Sequence, residues 1–181
     1  MGAEKSQKKA YILLSGIFGE DLVHSEFSIG TDATDVFAGK KRYLPRLDLA
    51  VGPFNVSTQR DVNSRMIRAA SDHPLIVRII DIARQQSGGN FTANVNPRCL
   101  LAIEIEFSGS SKHILGDFTN ASMMGFVGLV IGPSDEEYMN KIRRVSEYVR
   151  TLRVLEKAPS SLFTNVACMD VDEFFDLCDR V

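Results

Sequence analysis

The segment Leu100-Leu101-Ala102-Ile103-Glu104-Ile105-Glu106-Phe107 constrains this chain more than any other. It opens as a solid apolar run, which predicts a strand covered on both faces. It then places two carboxylates two residues apart. Strand side chains alternate between faces, so Glu104 and Glu106 point one way and Ile103, Ile105 and Phe107 the other. An ionised carboxylate in an apolar strand is costly to desolvate unless it is paired, and two on one face repel each other. Two readings satisfy the pattern. Either a divalent cation with affinity for carboxylate oxygen serves both groups, or the strand leaves the core here and both glutamates stand in water.

A chain of 181 residues with 44% hydrophobic and 24% charged residues can bury one sizeable core. Its formal net charge of -2 excludes a chain that is basic overall, so a nucleic-acid partner would need a local basic patch. Lys40, Lys41, Arg42 and Arg46 form such a cluster beside Tyr43, and Arg60, Arg65 and Arg68 follow. A solvated loop gives the same pattern. The three cysteines, Cys99, Cys168 and Cys178, lack metal-ligand spacing and read as reduced, buried thiols of a cytoplasmic protein. No apolar run approaches the roughly 18 residues of a membrane span. The polar start, Met1-Gly2-Ala3-Glu4-Lys5, does not read as a signal peptide. The chain carries no P-loop pattern, no zinc spacing and no G-x-S-x-G elbow.

Periodicity predicts the rest. Residues 1–9 read as a frayed end. Ile12, Leu13, Ile17, Phe18, Leu22 and Val23 recur near helical spacing, so a helix is expected over 9–27, with Glu20 and His24 on one face of it. A short strand fits 34–38. Leu47-Asp48-Leu49-Ala50-Val51 reads as a strand in which Asp48 is out of place, Gly52-Pro53 breaks it, and 54–56 fits a hairpin partner. Helices are expected over 57–71 and 75–86, forming an insertion over 57–86, before the glutamate strand at 99–107. The next helix, over 111–124, turns Ile114, Leu115, Phe118, Ala121 and Ser122 inward. His113, Asp117 and Asn120 share its polar face at i, i+4 and i+7. A buried strand over 126–131, a long helix from a Ser134 cap to 157, a strand over 162–169 and a last helix after Asp170 complete the chain. Strands alternating with helices in the C-terminal half predict parallel pairing, and the hairpin-like first half predicts antiparallel pairing. The expected fold is α/β: three layers, helices flanking a mixed central sheet, as one domain over 10–181.

This order, with an aspartate on one core strand and Glu-x-Glu on the next, resembles the PD-(D/E)XK, or restriction-endonuclease-like, nuclease superfamily over roughly residues 10–168. Asp48 matches the family's aspartate, Glu104 its acidic metal ligand, and Glu106 the position where lysine is usual. Glu20 resembles the acidic residue that some members carry on the first helix. Two departures stand out. No proline immediately precedes Asp48, since Pro45 lies three residues upstream, and glutamate replaces the lysine. Lys112 is a relocated cation or a solvated lysine at a helix start. The resemblance implies a restriction-endonuclease-like core and a magnesium- or manganese-dependent nuclease that hydrolyses DNA phosphodiester bonds. Asp48, Glu104, Glu106 and Glu20 would hold metal, Asp48, Glu104, Glu106 and Lys112 would carry catalysis, and Lys40, Lys41, Arg42, Arg46 and Arg60 would position the nucleic-acid backbone. It also implies a possible homodimer. Glu106 in place of lysine leaves open a degenerate member that binds nucleic acid or protein without cutting. The third alternative is an unrelated α/β regulator with solvated carboxylates.

Overall fold

The apolar strand 99–105 lies at the centre of a five-stranded sheet, as its run of buried residues requires. The computed structural model of the protein describes residues 2–28, 45–55 and 60–181. In chain order these form α1 (Ala3–Phe18), a short 3-10 turn (Glu20–Leu22), β1 (Val23–Ser28), β2 (Arg46–Val51), α2 (Arg60–Asp72) and α3 (Pro74–Gln86). They continue with β3 (Cys99–Ile105), α4 (Ser111–Met124), β4 (Gly125–Gly132), α5 (Glu136–Val154), β5 (Val166–Asp170) and α6 (Val171–Cys178). The strand order is β1-β2-β3-β4-β5. β1, β2 and β3 pair antiparallel, whereas β3, β4 and β5 pair parallel through helical crossovers. The sheet is therefore mixed and flanked by helices, as the alternation of patterns predicts.

The two faces have different cores. Leu49, Val51, Leu101, Ile103, Leu129 and Ile131 pack with Leu14 of α1, Met66 of α2, Leu75, Ile76 and Ile79 of α3 and Phe174 of α6. On the other face Val130 and Cys168 meet Ile114, Phe118 and Ala121 of α4 and Met139 and Ile142 of α5. Each fully buried Leu, Ile or Phe contributes about 1.5–3 kcal/mol over its exposed state. Gly128 lets α4 lie directly on β4, because a Cβ there would sit 2.8 Å from the backbone carbonyl carbon of Ala121.

Several expected boundaries move for identifiable reasons. The first helix begins at Ala3 and stops at Gly19, whose φ of 95° is left-handed, so residues 3–9 are helical rather than frayed. Its Ser6 and Ala10 are buried, which ties the end down. Glu20 consequently lies in the 3-10 turn and His24 on β1, not on one helix. Residues 54–55 form no strand; the Asn55 N–H instead bonds the Arg98 carbonyl at 2.8 Å. Asp135, not Ser134, caps α5 by accepting from the Tyr138 N–H at 2.8 Å. β5 starts at Val166, four residues later than its apolar run, because 160–165 are turns. Leu115 of α4 is 40% exposed rather than inward. The strand expected at 34–38 lies outside the described residues.

β5 forms one sheet edge. Gln86, the last residue of α3, donates its Nε2 to the Cys168 carbonyl at 2.7 Å and accepts from the Cys168 N–H at 2.9 Å. Its side-chain amide thereby takes the place of a neighbouring strand at that position.

Candidate active site

Asp48 and Glu104 are brought together by strand register. The β2–β3 ladder runs Leu49↔Ile103, Ala50↔Ala102 and Val51↔Leu101, so one further step places Asp48 opposite Glu104 on the same face. The side chains complete this approach. The Asp48 carboxylate accepts from the Ile105 N–H at 2.7 Å, and the Asp48 N–H donates to Glu104 Oε2 at 3.4 Å. Glu104 pairs with Val130 of β4 in register, so it faces the α4 layer. There Asn120 donates its Nδ2 to Glu104 Oε1 at 2.9 Å. Glu104 is 5% exposed.

Glu106 lies just past β3 and folds back on the turn that follows. Its Oε1 accepts from the Ser108 N–H at 2.7 Å, the Gly109 N–H at 2.5 Å and the Tyr138 hydroxyl at 3.0 Å. Gly109 is required here, because a Cβ would collide with the Glu106 carboxylate and approach His113 Cβ at 2.8 Å. Tyr138 arrives from the first turn of α5 and also lies 3.0 Å from the Gly109 carbonyl. Lys141, one turn later, donates to the same carbonyl at 2.5 Å. Asp117 of α4 completes the group. Its carboxyl lies against Glu106, and its Oδ2 is buried with no donor among the described residues. Two carboxyls in that position hydrogen-bond only when one carries a proton.

Burial dominates the electrostatics. It pushes Glu104 up to about 8, reinforced by Asp48 and Asp117 and opposed by the Asn120 hydrogen bond. Burial, then the Glu106 charge, pushes Asp117 up to about 7. Burial also raises Asp48, although the Ile105 N–H works against it. Glu106 goes the other way. Burial raises it, but the Ser108, Gly109 and Tyr138 donors outweigh this and hold the carboxyl below its usual range. No described lysine or arginine forms a salt bridge with any of the four.

A divalent cation implied by the resemblance can be tested against this chemistry. Among the described residues, no three His, Cys, Asp or Glu side chains are arranged to enclose a metal ion. Magnesium commonly takes only one or two carboxylates and keeps several waters. The facing pair Asp48 and Glu104 meets that lesser demand. Beside them Asp117 keeps a buried oxygen with no hydrogen-bond partner among the described residues.

None of the remaining sequence candidates with a described side chain forms a hydrogen bond or ion pair with this group, although the Arg46 charge favours ionised Asp48. Glu20 is exposed in the 3-10 turn just past the end of α1, not on the helix that the resemblance assigned to it. Lys112 is exposed in the first turn of α4 and makes no ion pair with a described residue. Arg46 Nε pairs with Glu26 Oε2 at 2.8 Å. Arg60 begins α2, but its side chain lies outside the described ones, as do Lys40, Lys41 and Arg42 entirely. His113 caps α4, its Nδ1 accepting from the Ser110 N–H at 3.2 Å. Sequence reasoning gave no role to Tyr138 or Lys141, which reach the site only through the packing of α5. Asp117 and Asn120 did carry a signal, their shared helix face. No described helix is long and apolar enough to cross a membrane. Comparison with protein-family models, with curated proteins and with solved structures yields no match.

Proposed function

We propose that this protein is a metal-dependent nuclease of restriction-endonuclease-like core that hydrolyses DNA phosphodiester bonds. The observation that carries the reading is the meeting of Asp48 and Glu104 across β2 and β3, with Glu106 and Asp117 beside them. The element order supports the core assignment: a helix, three antiparallel strands with α2 and α3 inserted before the third, a helix and a parallel strand.

Asp48 and Glu104 would hold magnesium or manganese. When bound, the ion would stabilise charge on a phosphate and lower the pKa of its water. Asn120 orients Glu104 through Oε1. Glu106 is kept ionised by three donors on Oε1, and in that form its carboxylate would be able to take a proton. Tyr138 and the turn amides fix its orientation. Lys112 stands exposed at the start of α4, and Lys141 reaches the Gly109 carbonyl.

Calorimetric titration of manganese tests the site without knowledge of the substrate. The wild type should bind with defined stoichiometry and Glu104→Gln should not. Cleavage of single- and double-stranded DNA with manganese should then depend on Asp48 and Glu104. If neither protein binds manganese and no DNA is cut, the reading fails.

One observation favours a second reading. Glu106 stands where lysine is usual, and its Oε1 is fully committed to structural donors. A module that binds nucleic acid or a protein without cutting accounts for this equally. Nucleic-acid binding with no cleavage in manganese would establish it.

A further inference from the structure

A cavity of about 230 Å³ opens between the C-terminal ends of α3 and α5. Ser87, Gly88, Asn90, Arg150, Arg153 and Ser160 line it, and none of its lining residues is acidic. Tyr138 and Arg153 stand at opposite ends of α5, about 22 Å apart along its axis at 1.5 Å per residue. The cavity is therefore distinct from the carboxylate group and does not depend on the function proposed for it.

The two arginines are not equally accounted for by the fold. Arg153 has a structural task. Its guanidinium donates to the Leu162 carbonyl at 2.5 Å and the Ser87 carbonyl at 3.1 Å, tying the 155–165 connection to the end of α3. Arg150 has none. Its Nε packs over Gly88, 3.2 Å from where a Cβ would stand, and it makes no hydrogen bond to a described residue. Its one ion pair, to the exposed Glu147, is long at 3.7 Å. The glycine at 88, with φ of 85°, clears the space that the guanidinium occupies. Two like charges thus stand at i, i+3 over one cavity, and the proximity of Arg150, after burial, disfavours the charged form of Arg153. The negative end of the α5 dipole, worth about half a charge, cannot balance both.

We propose that this cavity is an oxyanion site that takes a phosphate group, held by Arg150 and Arg153. The planar guanidinium presents paired donors that match two phosphate oxygens. The Ser160 hydroxyl and the Asn90 amide, both on the rim, can supply neutral donors to a third. The volume suits the phosphate itself rather than a whole nucleotide, because sites that enclose a drug-sized ligand run from about 300 Å³ upward.

Titration of inorganic phosphate at constant ionic strength tests the site, followed by calorimetry. The wild type should bind one phosphate. Arg150→Gln should weaken binding roughly tenfold to a hundredfold, the effect of losing a charge-assisted pair. Arg150→Lys should retain part of it, and Glu104→Gln should bind as the wild type does. Arg150 is half-exposed, so its loss leaves the fold intact, as circular dichroism will verify. Displacement of phosphate by ribose 5-phosphate assigns the site to a small phosphate monoester. Displacement by an oligonucleotide lacking terminal phosphates assigns it to a phosphodiester backbone. Absence of phosphate binding, or equal binding by Arg150→Gln, overturns the proposal.

Discussion

Asn120 on α4 donates a 2.9 Å hydrogen bond to Oε1 of Glu104, a carboxyl that the sheet otherwise buries. This bond joins the helical layer to the strand pair that carries Asp48. It also favours the ionised form of Glu104 against the burial that opposes it. Removing it with Asn120→Ala should cost about 1 kcal/mol of stability. Manganese affinity should fall roughly tenfold, as is usual when a residue that orients a ligand is lost. Urea denaturation and calorimetry measure the two effects separately.

Glu104 gives the protein a pH dependence of defined sign. Its folded pKa, about 8, lies above its ordinary value of 4.5, so the native state favours the protonated form. The stability from this group is therefore full below about pH 4.5 and is lost as pH rises toward 8. In the presence of a chelator, the melting temperature should fall between pH 6 and pH 8.5, a window that spans that folded value. Glu104→Gln, which stays neutral, should flatten this decline and raise the melting temperature at pH 8 by on the order of 5 °C. Asp117, raised to about 7, contributes a decline of the same sign. Thermal melts of both proteins across pH check it.

Gly109→Ala places a methyl group against the Glu106 carboxylate and His113. Glu106 must then leave the amides of Ser108 and Gly109. The expected cost is about 1–3 kcal/mol, the penalty of unmade hydrogen bonds to a half-buried charge. Tyr138→Phe removes one donor only and should cost less. Denaturant midpoints of the two variants should rank in that order.

Gly128→Ala drives a methyl into the backbone of Ala121, which cannot yield as a side chain would. Overpacking of this kind costs about 1–3 kcal/mol or more. Because α4 also carries Asn120 and Asp117, manganese affinity should fall together with stability. Calorimetry beside a thermal melt tests whether both move.

Gln86→Ala exposes the N–H and carbonyl of Cys168 at the sheet edge. The expected loss is about 2 kcal/mol, from two hydrogen bonds at roughly 1 kcal/mol each. Faster aggregation on heating should accompany it, since an unguarded edge pairs with other chains. Light scattering during a melt measures this.

What the chain alone determined is the arithmetic of periods. The two-residue alternation of the 99–107 run predicts Glu104 and Glu106 on one face, although β3 ends at Ile105 and Glu106 turns onto the loop, and the 3.6-residue period of α4 put Asp117 and Asn120 on one helix face. Apolar runs and helix patterns located most described elements to within a few residues, but β1 falls inside the span expected to be the first helix, and α1 starts earlier than expected because buried Ser6 and Ala10 hold its start. Beyond antiparallel pairing in the first half and parallel pairing in the second, none of this carries information about which residues meet. Only the tertiary structure decided that Asp48 stands opposite Glu104, because register depends on where β2 and β3 stop pairing. It also decided that Tyr138 and Lys141 close the Gly109 turn, and that Arg150 and Arg153 share a cavity with Ser87. These residues are about 30 to 65 positions apart in sequence. Long-range contacts arise from the packing of whole faces, so the pairs that make the sites leave no local pattern to read.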